Sequence, residues 1–159
     1  MKKRSITIVF FIASFLALFA CHKTSDEEKI QAIITHIQKA AEEKNSSAIM
    51  DHISPGYSDP QGFDHETLKK TLRGYFFLFP KISAYINKRD ISVNEGSARV
   101  VLQAILTSTS KTGSLADVIP ESLGIYIFDV ALKKESNDWK IVTATWKRAG
   151  LNPSAGQQD

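Results

Sequence analysis

Asp129 is the residue best placed for acid–base chemistry, because it interrupts the apolar run Tyr126-Ile127-Phe128-Asp129-Val130-Ala131-Leu132. A carboxylate among such neighbours loses hydration, which penalises its charged form and raises its pKa toward that of a working general base. Strand alternation leaves two settings open. Asp129 has the opposite parity to Tyr126, Phe128, Val130 and Leu132 and shares its own with Ile127 and Ala131, so it lies either in an enclosed pocket or on a solvated outer face. Tyr57, Tyr126 and Trp146 are the candidates to line a ligand site with it.

Other chemistries lack their residues. His52 and His65 flank a Pro- and Gly-rich loop, but their separation matches no metal signature and no acidic or sulfur ligand accompanies them. They read as surface or capping histidines, and His36 reads as solvent-facing. No G-x-S-x-G elbow, phosphate-cradling loop or dinucleotide fingerprint occurs, so neither a metal nor a cofactor is expected. Tyr75, Phe76, Phe77 and Phe79 cluster at the end of one helical stretch and mostly read as core. Phe77 is out of phase and, with Tyr85, fits a pocket mouth or a partner surface.

The element that sends the chain to its destination comes first. "MKKR" places three positive charges before sixteen uncharged residues, "SITIVFFIASFLALFA", the layout of a secretory signal peptide. The run is shorter than the roughly twenty residues that span a bilayer comfortably, which argues against a retained transmembrane anchor. Neither Leu18 with Ala20 nor Phe15 with Ala17 satisfies the ordinary rule of two small residues before the cut.

Leu18-Phe19-Ala20-Cys21 instead resembles the lipobox of bacterial lipoproteins, with Phe19 bulkier than the usual middle residue. The resemblance implies removal of residues 1–20, a diacylglycerol on the Cys21 thiol and acylation of the new amino terminus. Two or three acyl chains hold a protein durably where one does not. A lone cysteine is otherwise a small buried hydrophobe, a role that its place at the end of the leader opposes. It also excludes an intrachain disulfide. His22 occupies the position where Asp resembles an inner-membrane retention signal, which favours the outer membrane in a host that has two.

About 139 residues remain, enough for one domain with its own core. With Lys2, Lys3 and Arg4 gone, the 20 Lys and Arg fall to 17 against 17 Asp and Glu, which removes the electrostatic case for a nucleic acid partner. Residues 21–24 form a tether. Ser25 and Glu28 make a capping box ahead of Ile30, Ile33, Ile34, Ile37, Ala40 and Ala41 at helical spacing. A short second helix carries Ile49, Met50 and Ile53, and Asp64 caps a third that runs to Pro80. From Ile82 the period changes to two, through Ile86, Ile91, Val93 and on to Leu106 beyond the "NEG" turn. Strands resume in "IYIFDVALKK" and "WKIVTATWKR". The segment from Thr107 to Gly124 reads as a long loop, and 149–159 as a disordered tail.

This order resembles the nuclear transport factor 2-like (cystatin-like) superfamily, most specifically through "AEEKNSSAIMDHISPGYSD" and "FDVALKKESNDWKIVTATW". The resemblance covers most of 25–148. It implies an α+β domain in which N-terminal helices pack on a strongly curved antiparallel sheet, a cone whose open end often holds a pocket, and members that pair through their sheets as homodimers. Such folds host isomerases, dehydratases and binding modules alike, so fold does not decide function. The expectation is a membrane-anchored, periplasm-facing lipoprotein whose cone binds a small apolar ligand or an envelope protein without catalysis. The alternatives are an isomerase- or dehydratase-like pocket enzyme with Asp129 as general base, and a structural envelope module.

Overall fold

A computed structural model describes residues 25–109 and 124–149. The leader and Cys21, the tether, most of the expected 107–124 loop and the tail beyond Ala149 lie outside the described residues. Three helices precede four strands: α1 (Asp26–Glu42), α2 (Ser46–Met50), α3 (His65–Leu78), β1 (Lys81–Asn94), β2 (Ser97–Thr109), β3 (Gly124–Glu135) and β4 (Asp138–Arg148).

The helix starts follow local chemistry. The Ser25 side chain accepts the Glu28 N–H at 3.1 Å while the Glu28 carboxylate accepts the Ser25 N–H at 2.7 Å, which satisfies two donors that the first turn leaves orphaned. Asp64 and Thr67 repeat the exchange at α3. At the far end of α1, Lys44 adopts a left-handed conformation with φ 56°, and Asn45 N–H returns to Ala40 O at 2.8 Å, closing a Schellman motif where glycine is usual. The Lys44 Nζ donates to the carbonyls of Phe76 and Phe79, so one side chain joins the C-termini of α1 and α3.

The strands form one antiparallel meander in the order β1-β2-β3-β4. Its inner face presents Val100, Leu102, Val130, Leu132, Trp139 and Ile141 to Ile30 and Ile34 of α1 and to Met50, Ile53 and Tyr57. Ile30 and Val100 are fully buried, and Leu132 is 1% exposed. The α+β class, the helices-first order and the antiparallel curved sheet expected above are the observed ones. Between Ile86 and Ile91 lies a bulge: β1 is continuous, and its pairing with β2 slips at Asn87. A second slip, at Val142, interrupts the pairing of β4 with β3.

Both sheet edges are met locally by other parts of the chain, as exposed strand edges invite unwanted pairing. At β1 the Gln38 amide donates to Ala84 O at 2.7 Å and the Glu42 carboxylate accepts Ala84 N–H at 3.1 Å. At β4 the loop after α2 supplies the cover: Ile141 N–H donates to His52 O at 2.9 Å and Ile141 O accepts Ser54 N–H at 2.8 Å.

Candidate functional site

Alternation and register sort the expected site residues onto opposite faces. Leu102, Phe128 and Trp146 form one row across β2, β3 and β4, and Ala104, Tyr126 and Arg148 form the next. Leu102 and Ala104 are core residues, so Tyr126, Phe128 and Trp146 share the enclosed side. Tyr126 and Phe128 lie 6.2 Å apart between ring centroids, tilted by 43°. Phe63 approaches Trp146 at 6.0 Å. All four rings are half-buried, and they line the inner wall toward one end of the sheet.

Tyr57 belongs to the same side but has a different task. It is 3% exposed, and its hydroxyl donates to Asp59 Oδ2 at 2.8 Å. Burial, followed by the hydrogen bond to Asp59 and the charge of that carboxylate, pushes the phenol well above its ordinary pKa. The other oxygen of Asp59 accepts the backbone N–H groups of Gln61 and Phe63 at 2.9 and 3.0 Å. Tyr57 therefore anchors the loop that delivers Phe63 to Trp146. Phe63 and Leu68 occupy the N′ and N4 positions of α3, the spacing of a hydrophobic staple, and both pack on the core.

Asp129 is turned the other way. It sits between Phe128 and the core residue Val130, so its side chain lies on the outer face. There Arg99, reaching diagonally from β2, donates Nε to Oδ1 at 2.8 Å and Nη2 to Oδ2. The hydrogen bonds from Arg99 dominate a modest desolvation, and they hold the carboxyl below its ordinary pKa. Of the two settings that alternation left open, the outer face is the observed one, and the raised pKa expected of an enclosed carboxylate gives way to a lowered one because Arg99 pairs with it there.

Phe63 and Phe128 escaped sequence reasoning as site residues. Phe128 carried a signal, since it shares the parity of Tyr126; Phe63 carried one only in its place before the Asp64 cap. Arg148 marks the rim, its Nε 3.1 Å from where a Cβ on Gly124 would stand. Gly124 has φ 148°, so the strand enters the wall through a position suited to glycine in both backbone and space. At the described inner-face positions 98–106, 124–132 and 144–148 there is no carboxylate. The wall is thus equipped for apolar and aromatic contact with a polar rim.

The histidines also differ from expectation. His36 Nδ1 and His52 Nε2 are 2.6 Å apart, so two residues read as separate surface groups form one pair. His65 Nδ1 lies 3.5 Å from Glu66. Among the described residues, no three His, Cys, Asp or Glu side chains are grouped so as to hold a metal ion, and no helix is long and apolar enough to cross a membrane.

No protein-family model and no curated protein matches the chain. Solved structures do match, with sequence identities that carry the fold alone. A protein of cystatin-like fold from Caulobacter vibrioides aligns with a TM-score of 0.65 at 12% identity, over 79% of this chain and 91% of its own. A suggested dehydratase of the nuclear transport factor 2-like family from Streptomyces avermitilis aligns with a TM-score of 0.64 at 13% identity, over 78% and 96%. Bd1075 of Bdellovibrio bacteriovorus aligns at 0.63 and 11% identity over 76% of this chain, which spans only 40% of that protein. The described domain therefore has the cystatin-like, nuclear transport factor 2-like fold.

Proposed function

We propose that this protein is a bacterial envelope lipoprotein, held at a membrane by acyl chains on Cys21 and facing the periplasm, whose domain binds a small apolar ligand or an apolar segment of a partner protein without catalysis. The observation that carries the binding role is the half-buried wall of Tyr126, Phe128, Trp146 and Phe63. Sites of this kind draw affinity from aromatic surface and orientation from a few polar groups at the edge, a part that Tyr126 and Arg148 are placed to take. The anchor rests on the charged "MKKR", the apolar run and Leu18-Phe19-Ala20-Cys21; His22 favours the outer membrane.

Titration of the full chain with 1-aminoanthracene, followed by fluorescence, tests the binding role. Saturable binding that Trp146→Ala weakens about tenfold, the loss of one well-packed aromatic, is the expected result. Equal binding by wild type and variant overturns it. Incorporation of radiolabelled palmitate into wild type but not Cys21→Ala tests the anchor, and an unlabelled wild type overturns that.

A pocket enzyme of the dehydratase or isomerase type is a second reading, favoured by the suggested dehydratase among structures of this fold. With Asp129 turned outward and paired to Arg99, it needs a base other than the one the sequence nominated. Turnover of a hydroxylated substrate that Tyr126→Phe abolishes would establish it.

A further inference from the structure

The cleft between the first half of α1 and the bulged stretch of β1 has a chemistry unlike that of the aromatic wall. Before the bulge, Ala84 and Ile86 face the helices; after it the phase has moved by one residue, so Arg89 pairs with the core residue Leu102 and takes the helix-covered side. Without the slip at Asn87 that place would fall to Lys88. Arg89 is half-buried as a residue, and its Nε and Nη1 are closed to solvent and make no hydrogen bond.

A buried Lys or carboxylate can escape such a position by becoming neutral, whereas a guanidinium keeps its charge and its donors. Buried polar groups of native proteins are satisfied almost without exception, and an uncompensated buried cation is strongly destabilising. The partner that Arg89 lacks among the described residues has room beside it. The cleft is open to solvent, has a volume of about 290 Å³, and is lined by Glu27 and Gln31 of α1, by Asn87, Lys88 and Arg89, and by Ile86 and Ile91. Glu27, the one carboxylate among these residues, is exposed and makes no ion pair with Arg89.

We propose that this cleft binds a small oxyanion, a carboxylate or a phosphate, with Arg89 as its cation and the Gln31 amide as a further donor. Ile86 and Ile91 give the ligand a short apolar flank, and the volume admits a group of a few heavy atoms beyond the anion itself. Glu27 stands at the mouth as a like charge that weakens binding.

The test uses the full chain in detergent with ¹⁵N-labelled arginine, the Arg89 Nε–H resonance being assigned by its loss in Arg89→Met. Sodium phosphate and sodium acetate are titrated separately, at ionic strength held constant with chloride. A saturable shift of the Arg89 resonance is expected. Phosphate alone acting identifies a phosphate ligand, and acetate acting as well or alone identifies a carboxylate. Anion-induced thermal stabilisation should fall about tenfold in apparent affinity in Arg89→Met, the loss of a charge-assisted contact. Glu27→Gln should bind a few-fold tighter with little change in stability. A resonance that neither anion moves saturably overturns the proposal. So does a Glu27→Gln variant that is destabilised and binds no more tightly, since Glu27 would then be the partner of Arg89.

Discussion

His36 and His52 meet edge to face, with Nδ1 of the first 2.6 Å from Nε2 of the second and the ring planes at 85°. One proton fits between them. A second would set two donors and two positive charges against each other, so the contact that ties α1 to the loop after α2 requires at least one neutral ring. Burial, then the charges of His36 and Lys140, lower the pKa of His52 from its ordinary 6.5, with Asp51 opposing. A histidine whose folded pKa is depressed binds its proton more readily in the unfolded chain. Its stabilising contribution is complete above 6.5 and is lost as pH falls below that toward the folded value. Thermal melts at about pH 7.5 and about pH 5.5 should show a larger fall for wild type than for His52→Gln. Equal falls would place the acid sensitivity elsewhere.

Asp26 gives a second pH dependence, lower on the scale. Its carboxylate accepts Trp139 Nε1–H at 3.1 Å and the Lys134 ammonium at 3.0 Å. These bonds, the indole first, pull its pKa from 3.8 to about 2. The associated stability is present above 3.8 and disappears as pH drops toward 2. Asp26→Asn should lower the melting temperature at neutral pH, where the tie of α1 to the β3–β4 hairpin loses its charge. The same variant should flatten the acid limb of the stability profile.

Position on the molecule, not apolarity, should set the cost of substitution. Ile30 is 0% exposed at the centre of the core, whereas Phe77, on α3, is 89% exposed. Ile30→Ala should cost about 2–5 kcal/mol in urea unfolding, the transfer and cavity penalty of a buried aliphatic. Phe77→Ser should fall within about 0.5 kcal/mol of wild type, as surface changes do.

The β3–β4 turn can be improved. Ser136 and Asn137 both have positive φ, 48° and 77°, between the paired ends Glu135 and Asp138. That is the two-residue hairpin geometry in which Asn-Gly is favoured. Ser136→Asn combined with Asn137→Gly should raise stability by roughly 0.5–1 kcal/mol in the same measurement.

Asp129 offers a check on the wall as the binding surface. Asp129→Asn removes the charge that pairs with Arg99 on the outer face and should leave probe binding unchanged, in contrast to Trp146→Ala. A loss on Asp129→Asn equal to that of Trp146→Ala would mean that the outer face takes part.

Much of the architecture is legible in short stretches of the chain. Ser25 with Glu28, and Asp64 ahead of its helix, announce α1 and α3, because a cap is satisfied by residues three apart in the chain. The change of period after Pro80 announces the sheet. Even the bulge leaves a trace: Ile82, Ala84 and Ile86 are on even numbers, Ile91 and Val93 on odd ones, a phase jump that only an inserted residue accommodates. What that jump does to Arg89 is not legible, since it depends on Leu102 opposite and α1 above.

The sequence by itself therefore determined the class of the domain, the order and ends of its helices, and the parity sets along each strand, all carried by residues within a turn or a pleat of one another. Only the tertiary structure decided which parity faces the helices. That choice turned Asp129 outward to Arg99, thirty residues away, and gathered Tyr126, Phe128 and Trp146 with Phe63. It also brought His36 to His52 and turned Arg89 to the helix-covered side. The physical reason is that hydrogen-bond caps and hydrophobic periods act locally, whereas strand register and the face it buries are set by packing between segments that no short window of sequence contains.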